Sequence, residues 1–181
     1  MDMRTFILLS AIPGAGKSTW AKQFKSEYPN TFIVSSDEIR KERFGAVNNF
    51  QHEKEVWEIF LATINHYAET MDEVTVIGDA TNLENRFREY YFKNTPRFDK
   101  HILVLFDVPY EICLIQNQMR TSDRIVPLQA MERMKTQLEF PSPEVLQMYD
   151  QYILVKTFSK KVKIVDERPD DAPESCPKDN Q

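Results

Sequence analysis

The chain has 181 residues, of which 41% are hydrophobic and 28% are charged, and its formal net charge is −5. This length fits one domain with a sizeable core, and the composition is typical of a globular protein. No apolar run approaches the roughly 20 residues that a membrane-spanning helix needs. Cys113 and Cys176 are the only cysteines and share no CxxC or Cys/His spacing. A disulfide framework is therefore not expected. We expect a cytoplasmic location, where cysteines stay reduced.

The negative charge is concentrated at the C-terminal end. The last sixteen residues hold six acidic and two basic side chains, a net charge of −4 that leaves −1 for the rest of the chain. Global charge therefore neither requires nor excludes a nucleic-acid partner. Residues 167–181 are acidic and rich in proline, and we expect them to form a disordered tail after a single domain at 1–166.

Short apolar runs alternate with amphipathic segments along the chain. The predicted strands are Arg4–Ser10, Thr31–Val34, Glu73–Ala80, Lys100–Val108 and Lys161–Asp166. The predicted helices begin near Lys17, Ser36, Gln51, Glu84, Pro109 and Pro127. Strands that alternate with helices indicate βαβ units. We therefore expect an α/β fold of three layers, with helices on both faces of a parallel sheet.

The segment SAIPGAGKSTW, residues 10–20, joins the first predicted strand to the first predicted helix. Its glycines allow a turn that points successive backbone N–H groups at phosphate oxygens, and the helix N-terminus adds a positive dipole. Strand, loop and helix together predict a phosphate-binding loop for ATP. The residues expected to contact the nucleotide are Pro13, Gly14, Ala15, Gly16, Lys17, Ser18 and Thr19.

Two residues of this loop have chemical roles. Lys17 would bridge the terminal phosphates, and the hydroxyl of Ser18 would hold Mg²⁺. Ala11 stands where the usual loop pattern has glycine. We expect the loop to function, because a small side chain matters more at a strand exit than the full conformational freedom of glycine.

The acceptor side of the site is predicted from residues that follow two strands. Asp37 comes just after the second strand, where it could take the proton of an attacking hydroxyl or merely cap a short helix. Arg40 lies on the same helical face and could bind an anionic group of the acceptor. Asp79 ends the third strand, where it could join the Mg²⁺ shell, position the lysine and the acceptor, or form a plain turn.

A polar segment, residues 119–126, lies between two predicted helices and is expected to form a helical lid. It carries Arg120 and Arg124. A positioned arginine stabilises the charge that spreads over a transferring phosphoryl group. We therefore expect both arginines to contact the nucleotide and Arg120 to take part in catalysis; the alternative is a solvated surface pair.

Five runs of the sequence resemble those of the 5′-polynucleotide kinases of phages and bacteria, within the P-loop kinase superfamily. These runs are IPGAGKSTWAKQF, SSDEIR, GDATNL, LFDVP and NQMRTSDRIVP. The resemblance covers residues 4–143 and implies transfer of the γ-phosphate of ATP, with Mg²⁺, to a 5′-hydroxyl of DNA or RNA. It also implies a parallel sheet with strand order 2-3-1-4-5. Lys17 and Ser18 match the phosphate- and metal-binding residues of the family.

The resemblance assigns the remaining roles by position. Asp37 matches the general base, and Arg40 matches an arginine that contacts the phosphate of the acceptor nucleotide. Asp79 matches a second active-site aspartate, and Arg120 matches the lid arginine on the donor phosphates. Ser36 departs from the pattern, because the phage kinase carries an arginine before the general base.

Two other functions stay open from the sequence. Related P-loop kinases that phosphorylate a nucleoside, sugar, antibiotic or sugar nucleotide also use an aspartate after the second strand. The nearly neutral charge of the chain before its tail slightly favours this small-molecule alternative. A nucleotide-binding switch without transfer activity is the third hypothesis, and it gives no role to an aspartate and an arginine on the acceptor side.

Overall fold

The computed structural model describes residues 3–156, which contain five β-strands and seven α-helices. The strands are β1 (Arg4–Ser10), β2 (Thr31–Ser35), β3 (Val74–Asp79), β4 (Lys100–Phe106) and β5 (Gln151–Val155). The helices are α1 (Lys17–Glu27), α2 (Ser36–Phe44), α3 (Glu53–Thr70), α4 (Asn85–Lys93), α5 (Tyr110–Gln118), α6 (Leu128–Gln137) and α7 (Pro143–Met148). In the predicted lid, a short 3₁₀ helix (Ser122–Arg124) lies between α5 and α6. Within residues 3–156, no helix is long and apolar enough to cross a membrane.

The strands form one parallel sheet in the order β2-β3-β1-β4-β5. This confirms the predicted three-layer α/β fold and the strand order 2-3-1-4-5 that the resemblance implies. Leu8 of β1 and Val34 of β2 both pair with Gly78 of β3, from opposite sides. The three strands consequently end at the same edge of the sheet, where the loops that follow them meet.

The central strands are apolar on both faces because helices cover both faces. On one face, Ile7 and Leu9 of β1 pack in a cluster with Trp20, Cys113 and Met131. On the other face, the buried side chains include Phe6, Leu8, Phe60, Ile64 and Tyr91. A fully buried Ile, Leu, Phe or Met side chain stabilises the fold by about 1.5–3 kcal/mol. The sheet that positions the loops is therefore packed on both of its faces.

The fifth strand of the sheet lies at residues for which the sequence analysis predicts no strand. It is β5, which pairs with β4, whereas the sequence predicts the last strand at Lys161–Asp166. Ile153 is the one buried residue of β5, because the strand lies at the edge of the sheet. Its sequence nevertheless contains a continuous apolar run, YILV at residues 152–155, which is a signal that could have identified the strand. The segment at 161–166 and the predicted disordered tail at 167–181 lie outside the described residues.

Candidate active site

The phosphate loop leaves β1 at Ser10 and enters α1 at Lys17. Gly14 and Gly16 have φ values of +83° and +93°, which glycine adopts without strain. A Cβ atom on Gly14 would lie 2.2 Å from the carbonyl oxygen of Cys113 in α5. The loop therefore packs directly on the backbone of α5, and Gly14 is required both by its dihedral angle and by this close approach.

Ala11 fits the loop without needing the freedom of glycine. Its side chain is fully buried, and its N–H donates to the carbonyl of Thr81 over 2.9 Å. Its φ is not positive. The strand exit is also fixed by Asn82, whose Nδ2 donates to the carbonyl of Leu9 and whose carbonyl accepts from Ser10 Oγ, both over 2.8 Å. Ala11 therefore lies at a tightly packed strand end, where a small side chain is enough.

The other predicted loop residues differ in exposure. Pro13 and Ala15 are buried, Lys17 is half-buried and Thr19 is exposed. Cys113 lies behind the loop, where burial raises the pKa of its thiol to about 11 although the charge of Lys17 opposes that shift. The cysteine is therefore a neutral core residue.

Ser18 and Asp79 are in direct contact. The hydroxyl of Ser18, in the first turn of α1, donates to Oδ2 of Asp79 over 2.8 Å. Asp79 is the last residue of β3 and is buried. Hydroxyl and carboxylate oxygens suit Mg²⁺, which takes its remaining ligands from water and substrate phosphates. The donor set at the mouth of the loop thus fits a nucleotide-bound Mg²⁺.

Asp37 lies in the first turn of α2 but does not cap it. The helix cap is Ser35, whose hydroxyl accepts from the N–H of Glu38 over 3.4 Å. The Asp37 side chain is 36% exposed, and its Oδ1 accepts from Nη1 of Arg40 over 2.9 Å. The carboxylate is therefore held in place at the sheet edge and still reachable from solvent.

Arg40 is engaged by protein partners. Its side chain is 6% exposed, and its Nε and Nη2 donate to the two carboxylate oxygens of Glu53 over 2.7 and 2.9 Å. The rings of Phe50 and Trp57 lie against the guanidinium, with centroids 4.9 and 5.6 Å from its central carbon. Arg40 is therefore paired with Asp37 and Glu53 at once, and its contact with the acceptor stays a prediction.

The lid arginines reach Asp37 across the mouth of the loop. Nη2 of Arg120 and Nη1 of Arg124 each lie 3.8 Å from Oδ2 of Asp37, and Arg124 also pairs with Glu38. Burial lowers the pKa of Arg120, and the charges of Asp37 and Asp79 oppose that shift. Both guanidinium groups are partly buried and paired with acids, unlike solvated surface arginines.

Three residues at this site have no role assigned from the sequence, although Glu38 and Asn117 lie within runs that carry the family resemblance. Glu53 and Glu38 are acidic residues near helix starts, a pattern typical of solvated side chains, so the local pattern does not mark them. Asn117 is buried in α5, four residues after Cys113 and on the same helical face. A polar residue at a buried helical position is a signal that could have identified it.

A protein-family model described as an AAA domain matches residues 7–141. The chain belongs to this AAA domain family. The matched span contains the phosphate loop, both aspartates and the lid arginines. No curated protein matches the sequence.

The AAA domain also resembles solved structures. A chain of the Pnkp1/Rnl/Hen1 RNA repair complex is 23% identical, with a TM-score of 0.67 over 83% of this chain and 47% of that chain. A fungal RNA kinase is 18% identical, with a TM-score of 0.58 over 88% and 78% of the two chains. Shikimate kinase from Acinetobacter baumannii is 19% identical, with a TM-score of 0.53 over 87% and 85%. These likenesses show the P-loop kinase fold, and the chain spans less than half of the first of these chains.

Proposed function

We propose that the protein is an ATP- and Mg²⁺-dependent kinase that transfers the γ-phosphate to a 5′-hydroxyl end of DNA or RNA. The observation that carries the proposal is the meeting of Asp37 with Arg120 and Arg124 at the mouth of the phosphate loop. A carboxylate that faces two lid arginines supplies both halves of phosphoryl transfer, a proton acceptor and charge stabilisation. A nucleotide-binding switch gives this arrangement no role.

The donor half of the site consists of the loop and the lid. Lys17 and the loop N–H groups bind the terminal phosphates, and Ser18 with Asp79 would hold the metal. When bound, Mg²⁺ would neutralise charge on the phosphate oxygens. Arg120 and Arg124 stabilise the additional charge of the transferring group and cover the site from water.

The acceptor half is built around Asp37. The attacking hydroxyl gives its proton to this carboxylate while its oxygen forms a bond to the γ-phosphorus. The bond from the γ-phosphorus to the bridging oxygen breaks, and ADP is the leaving group. Arg40, anchored by Glu53, holds one oxygen of the carboxylate while the other faces the lid arginines.

A pocket beside the acceptor half supports a nucleic-acid acceptor. Its volume is about 410 Å³, and it is lined by Trp57, Thr81, Asn82, Arg86, Phe87, Tyr90 and Tyr91. Thr81 and Asn82 follow Asp79 closely in the chain, and Trp57 also contacts Arg40. The pocket is rich in aromatic rings, and stacking of a base on such a ring is worth about 1–3 kcal/mol.

The second candidate is a kinase of a small hydroxyl compound. The observation in its favour is the engagement of Arg40 by Glu53, which leaves an acceptor phosphate without the partner that the polynucleotide kinases would offer it. The likeness to shikimate kinase is consistent with this alternative. The two candidates share the donor half and differ only in the acceptor.

Transfer from γ-labelled ATP to a panel of acceptors tests the proposal. The panel contains 5′-hydroxyl DNA and RNA oligonucleotides, nucleosides, sugars and aminoglycosides. We expect label on the oligonucleotides, and a KM for them about tenfold higher in Tyr90→Ala because a stacking ring is lost. Tyr28→Ala, which removes a similarly exposed ring at the end of α1, is the matched control. Label on small molecules alone would favour the second candidate, and ATP turnover that no acceptor changes would favour the switch.

A further inference from the structure

One buried side chain closes the loop that carries the lid arginines. Asn117, near the end of α5, is 1% exposed. Its Nδ2 donates to the carbonyl of Val126 over 2.7 Å, and its Oδ1 accepts from the N–H of Val126 over 3.0 Å. Its backbone carbonyl accepts from the N–H of Arg120 over 3.3 Å. Both ends of the segment 120–126 are therefore fixed to a single residue.

The same residue lies against the phosphate loop. A Cβ atom on Gly14 would be 2.2 Å from the carbonyl oxygen of Cys113 and 3.2 Å from the backbone nitrogen of Asn117. The last turns of α5 thus contact the loop through backbone atoms, with no long side chain between them. A rigid helical turn joins the loop that binds phosphate to the segment that carries the arginines.

We propose that Asn117 is a positioning residue that sets Arg120 and Arg124 over the phosphate loop. This inference rests on the proposed function, in which those arginines act on the transferring phosphoryl group. The arginine segment has its own internal restraint, because the N–H of Arg124 donates to the carbonyl of Thr121 over 2.8 Å. With both ends held by Asn117, the two guanidinium groups project from a closed loop towards Asp37.

The two hydrogen bonds between Asn117 and Val126 explain why residue 117 carries an amide side chain. Val126 presents one donor and one acceptor of its backbone, and an asparagine side chain carries the matching acceptor and donor. An ionised aspartate would keep the contact to the N–H but would set a negative oxygen against the carbonyl. An alanine would leave both backbone groups of Val126 without this partner.

A double-mutant cycle tests whether Asn117 acts through Arg120. The variants are Asn117→Ala, Arg120→Ala and the double variant, with kcat and the KM for ATP measured for each. We expect Asn117→Ala to lower kcat about tenfold with little change in KM, because the arginine is misplaced at the step where charge develops. In the Arg120→Ala background the same change should cost about twofold or less. If kcat of the double variant falls by the product of the two single-variant losses, the inference is overturned.

Limited proteolysis supplies a readout that does not depend on any acceptor. Trypsin cleaves after arginine, so cleavage after Arg120 and Arg124 of the folded protein reports how firmly the segment is held. We expect cleavage to be about tenfold faster in Asn117→Ala, because it follows the population of the open segment. Asn65→Ala, which removes another amide that donates to a backbone carbonyl, should leave the rate unchanged.

Asn117→Asp keeps the side-chain volume. It replaces Asn117→Ala in the proteolysis experiment where the alanine variant folds poorly. Faster cleavage in this variant is likewise expected, and unchanged cleavage in the folded variants would overturn the inference. Faster cleavage together with no phosphate transfer by the wild-type protein would overturn the proposed function alone.

Discussion

Glu53 binds Arg40 through both of its carboxylate oxygens, which accept from Nε and Nη2 of the guanidinium over 2.7 and 2.9 Å. The pair connects the first residue of α3 to α2, where Arg40 also holds Asp37. Because the arginine side chain is buried, its charge depends on these carboxylates for compensation. The position of the proposed base therefore depends on a glutamate that lies outside every recognised motif.

Replacement of Glu53 tests this support. Glu53→Gln removes the charge and one of the two acceptors, so we expect the free energy of unfolding to fall by about 1–3 kcal/mol. We also expect kcat to fall by about tenfold as Asp37 loses its fixed orientation. Chemical denaturation and steady-state kinetics measure the two effects. Glu55→Gln, at an exposed residue two positions along the same helix, is the control; equal behaviour of the two variants would contradict this role.

Substitutions at two glycines distinguish the cost of a positive φ from the cost of a steric clash with neighbouring backbone. Gly14 and Gly45 have nearly equal φ values, +83° and +86°, but a Cβ atom on Gly45 would meet nothing within 4 Å. Gly45→Ala should therefore cost about 1–2 kcal/mol of stability, and nucleotide binding should remain. Gly14→Ala should cost more and should weaken ATP binding, because its Cβ collides with the backbone of Cys113. Thermal denaturation and calorimetric titration with ATP measure both effects, and equal losses in the two variants would argue against the packing of the loop on α5.

Removal of the lid arginine tests its role in transfer. Arg120→Ala should lower kcat on the order of 10³-fold, the contribution typical of an arginine that stabilises the transferring phosphoryl group. Arg133→Ala, at an exposed position of α6, should leave kcat unchanged. The measurement is the rate of ADP formation with saturating acceptor. A loss in Arg120→Ala no larger than that in the control would mean that the lid does not act on the phosphate.

The buried histidine predicts a pH dependence of stability. His101 Nε2 lies 2.8 Å from the hydroxyl and 3.1 Å from the carbonyl of Thr95. Burial lowers the pKa of His101 below its usual 6.5, although Thr95 and Asp150 oppose the shift. The unfolded chain then takes up the proton more readily than the folded protein, so this contribution to stability is present above about pH 6.5 and is lost as the pH falls through the lowered pKa.

The corresponding experiment compares how steeply Tm changes with pH in the wild-type protein and two histidine variants. Between about pH 7.5 and pH 5.5, Tm should fall less steeply in His101→Gln than in the wild-type protein, because one titrating group is gone. His66→Gln removes an exposed histidine and should keep the wild-type slope. Identical slopes in all three proteins would show that His101 does not contribute.

The parts of the site that could be predicted from the sequence lie in contiguous runs. The loop from Ser10 to Ser18 is one such run, while Asp37 follows one recognisable strand and Asp79 ends another. Their placement at one edge of the sheet follows from parallel pairing, which brings strand ends together. The order of the strands came from the resemblance, because pairing between distant segments leaves no mark in the local pattern.

The parts that could not be predicted depend on tertiary contacts. Glu53 has the sequence context of a solvated helix start, and its contact with Arg40 exists only once α2 and α3 pack together. β5 is different, because its apolar run YILV at residues 152–155 is a strand signal in the sequence itself. α7 has only six residues and follows a proline-rich break. Its N-cap, Ser142, lies between two prolines, so the sequence there is typical of a loop.

Transfer of the γ-phosphate from ATP to a 5′-hydroxyl oligonucleotide in a single turnover is the most direct test of the proposed function. The comparison uses the wild-type protein, Asp37→Asn and Asp72→Asn, the last at an aspartate whose side chain is 86% exposed and pairs with Arg4. We predict transfer by the wild-type protein and by Asp72→Asn, and a rate lower on the order of 10²–10⁴-fold in Asp37→Asn, because the proton acceptor is lost. Transfer by Asp37→Asn at the wild-type rate, or no transfer by the wild-type protein, would contradict the role assigned to Asp37 or the acceptor assigned to the site.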